Sequence, residues 1–326
     1  MPTQILCAAL LVCLFSISAA AADPIFPADA QLELLWNDGE FTEGVATRKD
    51  GMVFFSDIAI AGKGPGRILK FDPQTTQTSV FVADSGQSNG LAFAPDGRLL
   101  AACGANKGHQ ALCEFLPDGS MKTIVGKFHG KVFNAPNDLD VHPKGWVYFS
   151  DPRYVGPEPL ELDHQSVYRV DPSGTVHRAT TDITKPNGVS VAPDGKTLYV
   201  AETDNGSTGV EPAGTPPKPV RFTLNAFPIK DDGSLGAKNV IVDFGKEMGI
   251  DGMTMDAAGH IYAAIRNASR HGIAVYTPDG KEAAFLVMEP LPTNCVFGRG
   301  AEANVLYITA DSGLYRIPTT AKGHHP

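Results

Sequence analysis

Several things are scarce in this chain, and each scarcity excludes something. Basic residues fall short of acidic ones, 27 Lys and Arg against 36 Asp and Glu, a net charge of -9. That balance makes nucleic acid and anionic membranes poor partners. There is no low-complexity tract and no sign of a second domain. The one long apolar run, ILCAALLVCLFSIS, is short for a membrane span. It is followed by AAAAD, the small-residue pattern of a signal-peptide cleavage site. Residues 1–22 are therefore expected to be a signal peptide, and the mature chain, 23–326, an exported one. Only 5 cysteines occur, and Cys7 and Cys13 lie in that leader. Of the remainder, Cys103 and Cys113 sit where they could face each other across a hairpin. An exported compartment permits a disulfide between them, but sequence leaves the bond open. Cys295 reads as a small buried hydrophobe. Neither a G-x-S-x-G elbow nor a nucleophilic cysteine setting is found, which disfavours covalent catalysis.

What is abundant is turn chemistry, with 34 Gly and 25 Pro. It is arranged in repeats. EGVATRKDGMVFFSDI, SNGLAFAPDGRLLAACG, PNDLDVHPKGWVYFSDP, PNGVSVAPDGKTLYVAET, DGMTMDAAGHIYAAI and NCVFGRGAEANVLYITA are six versions of one hairpin. Their lead residues, Glu43, Asn89, Asn137, Asn187, Asp251 and Asn294, lie 46, 48, 50, 64 and 43 residues apart. In the first five the turn glycine follows the lead by 8 residues. A weaker set of hairpins fills the gaps, so each repeat holds four strands, which fits a propeller blade. The last repeat lacks its fourth strand, and QLELLW near the N-terminus can supply it and hide both sheet edges. The chain is expected to be all-β, a single six-bladed β-propeller with four-stranded blades, closed by an N-terminal strand. The 64-residue interval holds DNGSTGVEPAGTPPKPV, a rim loop that is either a tolerated insertion or a lid.

In a propeller the first strand of each blade lines the central channel, so the six lead residues form a ring at one mouth. That ring holds a Glu, an Asp and four Asn, all offering oxygen. One Asn-Gly alone would read as a local turn or cap. Six polar residues in register need a compensating partner if buried. A hard divalent cation is the natural one: Ca²⁺ first, with Mg²⁺ or Mn²⁺ next and Zn²⁺ less suited, since no His or Cys is in the ring.

The motifs SNGLAF, PNDLDVHPKGWVYFSDP, KPNGVSVAPDGKTLYVAET, DGMTMD and LYITADSGLYRI resemble the gluconolactonase/regucalcin (senescence marker protein) family of six-bladed propeller lactonases. The resemblance covers nearly the whole mature chain. It implies that Glu43, Asn187 and Asp251 are direct metal ligands, that Asn137 holds substrate or a metal-associated water, and that Asp251 is the general base. Glu43 is followed by Gly-Val where the family commonly has Gly-Pro and an aromatic. Ala135 stands where regucalcin carries a substrate-binding arginine. DPRY, from Asp151, is close to the DPPYG of the bacterial gluconolactonase branch.

The chemistry is coherent without the family. Ring-opening hydrolysis needs a polarised carbonyl and an activated water, both within reach of a cation beside a carboxylate. Asp251 and Glu43 both qualify as the base on chemistry alone. The amides of Asn89, Asn137 and Asn294 are candidates to bind substrate hydroxyls. His109 and Arg153, with Tyr154 and Arg266, are candidate contacts from rim loops, against the alternatives of a solvated histidine and structural side chains. A small-molecule lactone, by the family likeness a sugar lactone, is the expected partner, and the protein is expected to be a monomer. Two alternatives stand beside it: another ester or organophosphate hydrolase on the same site, or a non-catalytic binding propeller braced by calcium.

Overall fold

In the computed structural model, residues 24–61, 64–211, 214–216 and 218–325 are described. The leader expected at residues 1–22, and its cleavage point, lie outside them. Six four-stranded antiparallel sheets make the blades of a β-propeller. The first blade runs through Thr42–Thr47, Val53–Asp57, Arg67–Asp72 and Gln77–Val82. The inner strands of the next five are Ser88–Phe93, Leu139–Val141, Pro186–Val191, Ile250–Met255 and Pro292–Phe297. The sixth blade takes its outer strand from the other end of the chain. Glu33–Trp36 pairs with Gly313–Pro318, and the Arg316 Nε donates to Glu33 Oε2 at 2.7 Å. A single 3-10 turn, Gly300–Glu302, is the one helical element among the described residues, and none of their helices is long and apolar enough to cross a membrane.

The core lies between blades, because each sheet is apolar on both faces and must bury both. The middle strands are accordingly continuous buried runs, such as Val53–Asp57, Leu99–Cys103 and Val147–Asp151. Phe54 of the first blade meets Phe93 of the second, ring centroids 5.3 Å apart and near edge-to-face. At the closure, Phe71 and Phe55 pack with Tyr307 and Leu314 of the sixth blade. Burial of one such side chain is worth about 1.5–3 kcal/mol.

Inner strands converge on the axis, and this explains the residue after the lead. A Cβ on Gly44 would fall 1.9 Å from the Asn89 carbonyl oxygen, and one on Gly188 would fall 2.6 Å from that of Asp251. Only glycine lets neighbouring backbones approach so closely. The ladder also slips at the lead residues, between Glu43 and Val45 and between Pro186 and Val189. Such bulges turn side chains off the normal alternation, and here Glu43 and Asn187 border the channel mouth.

The three described cysteines, Cys103, Cys113 and Cys295, are buried free thiols. Cys113 pairs with Ala101 and Cys103 with Ala111, so the two are diagonal across the hairpin. The neighbouring Cys113 thiol and burial together push the Cys103 thiol well up. Cys295 is buried as expected.

Candidate active site

One mouth of the channel opens into a cavity of about 220 Å³. Five of the six lead residues, Glu43, Asn89, Asn137, Asn187 and Asp251, line it. Its polar centre rests on two carboxylates. Glu43 is 4 % exposed and Asp251 is 8 % exposed. Burial, then the charge of Asp251, raises the Glu43 carboxyl well above the usual range; the N–H of Gly44, 3.0 Å from Oε2, opposes the rise. Asp251 is raised too, by burial, and is partly offset by Arg266 and Asn187. Asn187 Nδ2 donates to Asp251 Oδ1 at 2.8 Å, and Arg266 Nη1 lies 3.3 Å from Oδ2. Arg266 is itself held by the Pro292 carbonyl at 3.1 Å and rests over the Phe41 ring. Asp251 is thus gripped on both oxygens.

This donor set fits a hard cation. Two buried carboxylates oppose each other with one guanidinium close by, and a divalent ion would relieve that repulsion. Among the described residues no three His, Cys, Asp or Glu side chains cluster to hold an ion alone. Amide oxygens would have to complete the shell, which suits Ca²⁺ or Mg²⁺ better than zinc. Glu43, Asn187 and Asp251 could hold it, and Asn137 lines the same cavity.

Three candidates do not join this cavity. Asn294 lines the cavity at the opposite end of the channel, and its Oδ1 accepts the Cys295 N–H at 2.8 Å. The register differs there: in the first blade the slip follows Glu43, which pairs with Ser56, whereas in the sixth it precedes Asn294, which pairs with Thr309. Arg153 is fully buried, donating to the carbonyls of Asn134 and Glu158, and braces the third blade's rim. His109 is exposed and packs beside Gly86, its N–H donated to that carbonyl at 2.9 Å.

Other residues at the mouth escaped the sequence pattern. Phe41, Ile58, Ile60 and Met248 line the cavity from loops that carry no repeat. Tyr154, already a rim candidate, lines it as well; its hydroxyl donates to the Thr203 carbonyl at 3.0 Å, and the Lys185 ammonium sits 4.2 Å from its ring centre. Lys185 is fully buried and also binds Asn205 Oδ1, tying down the start of the long loop. Asp138, next to Asn137, faces the opposite cavity, where burial lifts its pKa to about 7.

Residues 41–312 match the family described as SMP-30/Gluconolactonase/LRE-like region. The chain belongs to this family. Among its relatives, a gluconolactonase of Zymomonas mobilis is 26% identical over 92% of this chain and 85% of that one. A solved gluconolactonase of Xanthomonas campestris superposes with a TM-score of 0.75 at 26% identity, covering 90% of this chain and 91% of its own. Regucalcin of Agrobacterium tumefaciens, a calcium-binding protein, shares the fold at 20% identity, with a TM-score of 0.68 over 94% of this chain and 98% of its own. Family membership agrees with the six blades.

Proposed function

We propose that this protein hydrolyses a lactone at the Glu43–Asp251 mouth with the help of one divalent cation, Ca²⁺ first. The observation that carries the reading is the pair of buried carboxylates, Glu43 and Asp251, at the base of a small-molecule-sized cavity. The names of the family relatives support the lactone as substrate class. When bound, a divalent cation polarises the ester carbonyl and acidifies water.

The chain's own residues do the rest. Asp251 takes a proton from the attacking water at a carboxylate oxygen while the water oxygen bonds to the carbonyl carbon. As the ring C–O bond breaks, the same proton passes to the departing ring oxygen, leaving a hydroxy acid. Asn187 and Arg266 fix the carboxylate through one oxygen each, so the base keeps its orientation through both transfers. The side chains of Asn89 and Asn137 are available to hold the ester oxygens. A panel of lactones and simple esters, followed by acid release with and without chelator, tests this. Lactone opening that stops with chelator and returns with Ca²⁺ is expected. Ester cleavage without lactone opening would overturn it.

A further inference from the structure

We infer that the substrate's ring carries an apolar substituent, alkyl or aryl, rather than the hydroxyls of a sugar. The inference rests on the lactone reading of the site and names the kind of lactone. Above the carboxylates and asparagines the cavity wall is apolar. The first blade contributes Phe41, Ile58 and Ile60, the third Tyr154 and Val155, and the loop entering the fifth Met248. Ile60, Val155 and Met248 are 42%, 43% and 37% exposed, three of the nine large apolar side chains left exposed among the described residues. Single exposed apolar residues are ordinary, but a group bordering one opening marks a binding surface.

Most polar groups along the rest of the wall are already engaged. Gln87 donates to the carbonyls of Ala59, Gly64 and Asn106, and its Oε1 accepts the Ala59 N–H. Asn106 Nδ2 donates to the carbonyls of Ala59 and Ile60. Thr203 Oγ1 donates to the Ile250 carbonyl, and Asn205 Oδ1 accepts from Lys185. The Tyr154 hydroxyl is taken by Thr203. A polyhydroxylated ring would lose water along this wall and find few partners there, which is unfavourable. An alkyl or aryl group would be buried by it, with the ester held below.

The test uses non-hydrolysable lactams in excess Ca²⁺, titrated calorimetrically: δ-lactams bearing ethyl, butyl and hexyl chains, and gluconolactam. Affinity should rise by roughly fourfold per added methylene while the chain stays within the cavity. Ile60→Ser and Met248→Ser, both at exposed positions that the fold tolerates, should each weaken the hexyl lactam by roughly threefold or more. The matching lactones, assayed for ring opening, separate the two readings. If gluconolactam binds tighter than the hexyl lactam, or affinity is flat along the series, the inference fails, and opening of gluconolactone would leave the lactonase reading intact. If the alkyl series binds as expected but no lactone is opened, the apolar wall stands and the lactonase reading falls.

Discussion

Asp251 has two assignments that a single substitution separates. As a ligand it needs only to offer oxygen; as a base it must accept a proton. Asp251→Asn keeps an oxygen but cannot take the water's proton at neutral pH. If Asp251 is the base, kcat should fall roughly 10²-fold or more even at saturating metal. Full rescue by added Ca²⁺ would reduce it to a ligand and move the base to Glu43. The grip of Asn187 and Arg266 suits either role, because a metal-ligating carboxylate is oriented by such partners as much as a base is. Of the residues at this scale, the ring acids and amides were legible from position in the repeat. Arg153 was not, since nothing in DPRY tells a rim arginine facing solvent from one buried against Asn134 and Glu158. The apolar wall was equally hidden. Ile60 and Met248 are single residues in irregular loops, and only folding brings them to one opening.

The inner strand is the element that makes the site. Its alternation, turn glycine and polar lead all repeat, so six blades could be counted before any coordinate was known. What the repeat could not show was the ladder slip. It falls after Glu43 in the first blade but before Asn294 in the sixth, and the ring has five members at the mouth rather than six. The lead-plus-glycine pair can be tested directly. In Gly188→Ala the new Cβ meets the Asp251 carbonyl oxygen at 2.6 Å, and that contact is backbone, which cannot swing away. The fourth and fifth inner strands must separate, costing about 1–3 kcal/mol. Thermal unfolding should drop, and with it the affinity for the cation, because the strand that moves carries Asp251. An unchanged melting temperature would show that the strands are not closely packed at this point.

At the scale of the whole molecule, buried acids give stability an unusual dependence on pH. Burial lifts Asp138 and Asp151 to about 7 and Asp140 to about 6. Unfolded, each would titrate near 4. Their folded values are higher, so the folded state binds protons more tightly. The stability they contribute is full below about pH 4 and is lost as pH rises through 6 and 7. Protein held in chelator should therefore melt at a lower temperature at pH 8 than at pH 5. Excess Ca²⁺ should lessen the fall, since a cation bound only to the folded state adds about 2.7 kcal/mol at 100 times its dissociation constant. Burial holds His142, His164, His324 and His325 below their usual range and so works the other way. A melting temperature that climbs from pH 5 to pH 8 in chelator would show that these histidines outweigh the acids.

As proposed, hydrolysis depends on a cation held by Glu43 and Asp251. The most direct measurement follows Ca²⁺ occupancy by calorimetry and lactone opening on the same samples, for the native chain and for Glu43→Ala. The account predicts that rate tracks occupancy in both, with the Glu43→Ala curve shifted to higher Ca²⁺ by at least tenfold. A native protein that opens lactone at full rate while calorimetry finds the ion gone would contradict it.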